Sequence, residues 1–448
     1  SHTYNAWLAQ LIAHGQAPGL YLARQGTNIL FDVFLVHVAN LFSFAAAEKI
    51  VVCGCVLIFF WGVFAFVSAV TGRAPWFLTP GIAMLAYGYS FNMGFMNYYL
   101  SIGLACFSMA LVWQGRGGNY FAALVAALLA LLAHPLGFAW FVGTIAYCSI
   151  RRVVPGMWKL LLPLGAVSVF VALRWCLRRR ADMLVDWGDI PFYLSNGADQ
   201  LALYGQRYAT LAGVAMAFGI ACLVAGLAQP KDGFSSGSPV LPGELYLITF
   251  CATALLPENL RVSMYAAWIG LLVSRLTVIS AILGLCVLGC LKPRAWHLAG
   301  FAALAAVFFS FLYRDTAALN RMESNAEAVL SALPYGTRVI PTIFADADWR
   351  VEFIGHAADR ACIGRCFTYS NYEPSSRQFR VRVSKGSPIV TDSSDDSEDM
   401  QGGSYEIQEG DPPLKQLYQC DRSDWTKLCL RDVGEGDTPG PVGWRPAP

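Results

Sequence analysis

The residues of this chain that carry chemistry fall into four groups. Asp32 and His2 offer a carboxylate and an imidazole near the start, the side-chain types that often take a proton from a hydroxyl. Arg174, Arg178, Arg179 and Arg180 form a guanidinium cluster, with Arg24 isolated upstream; guanidinium forks match the oxygens of a phosphate. His134 precedes Pro135, and Arg275 stands between Ser274 and Leu276 where an apolar run begins. Ionisable residues are costly in such places. Cys362, Cys366, Cys420 and Cys429 suit either a four-thiolate zinc site or two disulfides.

Each group also has an ordinary explanation. Asp32 suits the solvated face of a helix, and His2 stands beside the chain end, where disorder is common. His14 fits the favourable C-terminal end of a helix dipole. Pro135 simply stops a helix. Arg275 and the arginine cluster suit snorkelling helix ends.

The elements that must position these residues belong to a membrane protein. Of 448 residues, 56% are hydrophobic and 14% charged, against about 25% charged in a soluble domain. Mean hydropathy is +0.47. Net charge is +2, which gives no sign of nucleic-acid binding. Charge is sparse from Lys49 to Tyr313 and dense beyond. Crossing ~30 Å of hydrocarbon takes about 20 helical residues. The apolar runs 49–71, 76–92, 95–113, 119–133, 136–150, 157–176, 208–228, 243–257, 276–291 and 296–313 are the candidates, several of them short. A polytopic, mainly α-helical bundle over 49–313 is expected.

Basic residues orient it. With 1–48 outside, strict alternation puts Arg73, Arg116, Arg151, Arg152, Lys159, Lys231, Lys292 and Arg294 inside, in keeping with the cytoplasmic excess of Lys and Arg. The same alternation puts 314–448 outside, in an oxidising compartment that favours disulfides over zinc. Connectivity stays open among three pairings, of which Cys362–Cys366 with Cys420–Cys429 is one. The cluster after 157–176 breaks the alternation. Either the spans are miscounted there or the arginines are held outward for a purpose.

Residues 3–14 and 28–44 read as two amphipathic helices lying in the membrane interface. In the tail, 317–332 reads as a helix, and 337–343 and 377–383 as strands of a small α/β or α+β domain over 314–433. The acidic stretch Asp392–Asp399 lacks the glycine of a calcium loop and is expected to be mobile. Residues 434–448 read as a disordered tail.

The wording of the first loop is similar to a known superfamily. His2, Tyr4, Ala6 and Trp7, then Leu11-Ile12-Ala13-His14-Gly15-Gln16-Ala17-Pro18-Gly19-Leu20-Tyr21, resemble the polytopic GT-C glycosyltransferases. These include polyprenyl-phosphate-mannose and aminoarabinose transferases. The resemblance implies a polyprenyl-phosphate sugar as donor, a glycan or lipid acceptor, and action on the periplasmic side of a bacterial inner membrane. It implies Asp32 or His2 as base and Arg24, His134, Arg178, Arg179, Arg180 and Arg275 as groups around the lipid phosphate. It leaves a divalent metal open. The family's carboxylate usually precedes the first interfacial helix, whereas nothing acidic precedes Asp32 here. A first span is expected upstream of Ser1; either the family's carboxylate lies there too, or Asp32 does its work, or the protein is not an enzyme. The alternative is a non-catalytic transporter or polysaccharide assembly factor, although no convincing internal repeat is visible.

Overall fold

The computed structural model describes residues 1–113, 119–180, 183–187, 195–228, 238–262, 268–345, 348–351, 356–411 and 413–440. Arg116, Lys231 and residues 441–448 lie outside them. The chain opens with α1 (His2–Ala13), β1 (Leu20–Leu22), α2 (Leu30–Ala39) and α3 (Phe44–Thr71). The apolar region continues through α4 (Thr79–Ala86), α5 (Tyr89–Asn92), α6 (Met96–Val112), α7 (Tyr120–Ala133), α8 (Pro135–Val153) and α9 (Trp158–Arg179). It goes on with β2 (Met183–Asp186), α10 (Gln206–Leu227), α11 (Val240–Leu255), β3 (Asn259–Val262), α12 (Leu272–Gly289) and α13 (Ala295–Leu330). Then come β4 (Thr337–Thr342), α14 (Ala357–Cys362), β5 (Cys366–Thr368), α15 (Tyr372–Ser376), β6 (Val381–Val383), α16 (Ser394–Gly402), β7 (Leu414–Gln419) and β8 (Leu428–Val433). The protein is mainly helical. Among the described residues, α3, α9, α10, α12 and α13 are long and apolar enough to cross a membrane.

The chain divides into two compact units. One comprises 1–51, 263–268 and 312–448, and the other 52–262 and 269–311.

In the first unit, β4 runs parallel to β5 and β7, and β8 pairs antiparallel with β7, giving the order β5-β4-β7-β8. The early strand β1 pairs antiparallel with β6, Tyr21 opposite Arg382. Gly19 makes this approach possible: its φ is +80°, and a Cβ there would lie 2.7 Å from the Ser387 Cβ.

The expectation for α1 is overturned. An interfacial helix would show one apolar face, yet Thr3 to Ala9 and Leu11 are all buried. Trp7 stacks on Phe367 at 5.5 Å, and the Tyr4 hydroxyl accepts from the Thr368 amide at 2.9 Å. Tyr4 and Asn5 are polar, but their polar atoms are satisfied inside the unit, so they do not mark a wet face. Met322, Ala326 and Leu330 share the core with Trp7, Leu8 and Leu11. By contrast, α2 buries Leu30, Phe31 and Leu35 while Phe34, Leu41 and Phe42 remain exposed at and just beyond it. That part keeps the apolar face an interfacial helix needs.

Three further expectations change. The separate helix 317–332 is the second part of the 36-residue α13. Arg314 and Asp315 change the polarity without stopping the helix, because the first breakers come at Pro334 and Gly336. The acidic stretch is α16, where Ser393 accepts from the Asp396 amide at 3.1 Å. Asp395 and Asp396 lie in the first turn, where carboxylates complement the dipole. Residues 434–440 are tied down: Gly436 donates to the Ile407 carbonyl, and Ile407 donates to that of Asp437.

In the second unit, α6, α7 and α8 pack on one another, and α11 lies against α9 and α12. The run 76–92 is not one span. It breaks into a short 3-10 turn at Trp76–Leu78, then α4 and α5. Gly88 separates the last two, and a Cβ there would lie 2.8 Å from the Gln200 carbonyl oxygen. α9 buries none of its residues within the chain.

Candidate functional site

The first unit brings His2 and Asp32 together. His2 is the first residue of α1 and Asp32 lies in the first turn of α2, so helix packing rather than sequence spacing makes the pair. His2 Nδ1 lies 2.7 Å from Asp32 Oδ1. The two side chains are 18% and 24% exposed, and Phe31 meets the imidazole edge-on at 5.0 Å. Burial alone would lower the His2 pKa. The Asp32 charge and hydrogen bond, with the field of Glu373, outweigh it and raise the pKa above its ordinary value. A carboxylate paired in this way holds the imidazole in one orientation and stabilises its protonated form.

Beside the pair sits a second carboxylate that sequence reasoning missed. Glu373 is buried at the start of α15, where its Oε2 accepts from Asn5 Nδ2 at 2.5 Å. The Asn5 Oδ1 accepts from Asn371 Nδ2 at 3.2 Å, and Asn371 Oδ1 accepts from the Glu373 amide. Asn5, Asp32, Glu373 and Arg380 line a small cavity of about 30 Å³, room for ordered water but not for a sugar. No local signal marks Glu373: 368 residues separate it from Asn5.

A further pair lies in the same unit. His356 Nδ1 is 2.9 Å from Asp359 Oδ2. Burial pushes the Asp359 pKa up, but the His356 hydrogen bond and charge override it and hold it below the usual carboxylate range. Tyr372 stands between His356 and Phe379, at 5.3 and 6.0 Å.

The other expected residues are placed elsewhere. Arg24 is exposed and does not line the small cavity. The arginine cluster belongs to the second unit and uses its guanidiniums on tryptophans. Arg174 and Arg178 lie 4.1 and 5.2 Å over Trp187, and Arg179 lies 3.9 Å over Trp175. Arg174 also donates to the Ala254 and Leu255 carbonyls at the end of α11. Arg180 follows α9 and is exposed. Arg275 and His134, read separately from the sequence, meet around one tyrosine. Tyr98 donates to the Arg275 carbonyl at 2.8 Å, and its ring packs against His134 at 5.3 Å. The Arg275 guanidinium lies 4.1 Å over Phe95.

Among the described residues of the second unit, two cavities stand out. The larger, about 600 Å³, lies among α8, α9, α11 and α12 and is almost wholly apolar, with Trp140, Phe170 and Leu276 in its walls.

Cysteine pairing is settled as Cys362–Cys366 and Cys420–Cys429, so the four sulfurs do not form a zinc site. Among the described residues, no group of three or more His, Cys, Asp or Glu side chains is placed to hold a metal ion. No family model, no curated protein and no solved structure matches the chain.

Proposed function

We propose that the chain is a polytopic membrane glycosyltransferase of the GT-C kind, acting outside the cytoplasm on a polyprenyl-phosphate sugar. The observation that carries this reading is the His2–Asp32 pair, held on two helices of the first loop beside Glu373. In the reaction, the acceptor oxygen attacks the anomeric carbon while the bond from that carbon to the phosphate oxygen breaks. Neutral His2 takes the hydroxyl proton, Asp32 stabilises the resulting imidazolium, and the lipid phosphate leaves with the electron pair. The acceptor is an envelope glycan or lipid. The apolar cavity of about 600 Å³ supports the reading by offering room for hydrocarbon, and α9, which forms one of its walls, carries Arg178 and Arg179 in its last turn. The cell membrane is taken to be a bacterial inner membrane, with 314–433 in the periplasm.

A second reading, transport or polysaccharide assembly without catalysis, draws on the interruption between α4 and α5. Reconstitution of the full chain in vesicles with a radiolabelled polyprenyl-phosphate sugar separates the two. Transfer should occur and should fall by about two to four orders of magnitude in His2→Ala. Undiminished transfer in both His2→Ala and Asp32→Asn refutes the assignment of the pair.

A further inference from the structure

We infer that the smaller cavity of the second unit is a binding site for the chain of an uncharged, oxygen-headed amphiphile, such as a long-chain alcohol or a monoacylglycerol. The cavity measures about 320 Å³ and lies among α4, residues 196–201, α10, α11 and α12. That is within the roughly 300–1,000 Å³ of ligand pockets, which are mostly apolar with a few polar groups.

Its volume is not forced by packing. Gly81, Gly219 and Gly284 line it, and a Cβ at each would meet only ordinary contacts: Leu285 at 3.5 Å, Leu288 at 3.7 Å and Tyr246 at 3.7 Å. Larger side chains could fill the space without moving backbone, yet small residues stand there. Water is a poor occupant of an apolar cavity, so this lining favours hydrocarbon.

Two observations indicate where that hydrocarbon comes from and what it carries. Met216 and Ile220 of α10 line the cavity and are also 38% and 53% exposed. The cavity thus reaches the outer face of a helix long and apolar enough to span a bilayer, where lipid chains lie. On the inner wall, the Ser280 side chain is fully buried, and its hydroxyl has no hydrogen-bond partner among the described residues. A buried hydroxyl without a partner is costly, and a ligand oxygen at this point would satisfy it.

Ser280 lies midway along α12, and the turn at Gly197, which leads into the short 3-10 turn 198–201, packs against it. Gly197 has φ +100°, and its Cβ would be 2.4 Å from the Ala281 nitrogen. Irregular backbone at this depth is found where it is buried in protein or lines a cavity. An anionic headgroup is disfavoured by the buried Asp199, whose Oδ1 accepts from the Gly197 amide and whose Oδ2 accepts from the Thr277 hydroxyl. A cationic headgroup would find both of these oxygens already engaged by protein donors.

The test uses the full chain in lipid nanodiscs and a long-chain alcohol bearing a photoreactive diazirine on its chain. Crosslinked peptides should map to α10 and α12 around Met216, Ile220 and Ser280. Unlabelled long-chain alcohol should compete, and the fatty acid of equal length should compete at least about tenfold more weakly. Gly284→Leu, which fills the space, should abolish the labelling while preserving the melting temperature, since leucine also favours the helix more than glycine does. Ser280→Ala should weaken competition by about two- to tenfold, the equivalent of one hydrogen bond. Labelling spread evenly over α9 and α10 overturns the proposal. So does labelling that survives in a folded Gly284→Leu protein, or equal competition by the fatty acid. None of these readouts depends on sugar transfer.

Discussion

Replacing Asn5 with alanine should loosen the first unit selectively. Asn5 is buried and spends both ends of its amide within the unit, donating to Glu373 and accepting from Asn371. Alanine leaves the buried Glu373 carboxylate without that donor. A hydrogen bond to a charged group is worth about 1.5–3 kcal/mol, and leaving a buried charge short of a donor puts the loss toward the upper end. A cost of about 2–3 kcal/mol corresponds to a 30- to 150-fold change in the opening equilibrium, at 1.36 kcal/mol per decade. Hydrogen exchange read by mass spectrometry on the full chain in micelles measures it directly. Peptides from α1 and α15 should exchange faster by about that factor, whereas α6 and α12 peptides should be unchanged. Asn5→Asp provides a second arm. It sets two carboxylates face to face, so one proton is held more tightly in the folded state, and stability should recover as pH falls. Acceleration below about threefold in Asn5→Ala, or equal acceleration in both units, would refute this account.

Other expectations are shorter. The raised His2 pKa means that its contribution to joining α1 and α2 is whole below about 6.5 and declines as pH rises through the folded value. Asp32→Asn should bring that pKa down in a histidine NMR titration, and an unchanged value would remove Asp32 as the cause. Asp359 has the opposite sign. Its stabilisation is present above about 3.8 and is lost as pH falls through its depressed pKa; His356→Ala should move acid loosening of α14, followed by circular dichroism, to higher pH. Gly19→Ala forces alanine to φ +80° and against Ser387. It should cost roughly 1–2 kcal/mol for the left-handed backbone and about 1–3 more for the overlap, exposing 379–388 to limited proteolysis. Gly26→Ala, with open space around it, should not.

Composition and apolar run length suffice to find helices long and apolar enough to cross a membrane and a mixed C-terminal region, because the physics there is additive along the chain. The expected runs coincide with α3, α6, α7, α8, α9, α10, α11 and α12 within a few residues. The failures share a cause. α1 was expected to rest on a membrane surface because hydrophobic periodicity cannot tell a bilayer face from a protein core that also satisfies Tyr4 and Asn5. The breaks in 76–92 do carry local marks, Pro80 and Gly88, which apolar run length alone passes over, and Gly88 also permits the close approach to the Gln200 carbonyl. Within the candidate site, His2 and Asp32 were visible as residue types. Glu373 was invisible, since only folding across 368 residues places it beside Asn5. The arginines of α9 were legible as a cluster, but their tryptophan partner at 187 was not.

The pairing of Tyr21 with Arg382, and of Asn5 with Glu373, has a temporal consequence. A ribosome adding about 5–20 residues per second reaches Glu373 roughly 20 to 70 seconds after Asn5. For that interval Trp7, Leu8 and Leu11 lack the companions that will cover them, a delay long enough for misassociation. Until the last quarter of the polypeptide emerges, the opening segment exposes apolar side chains of the kind that chaperones and lipid surfaces cover.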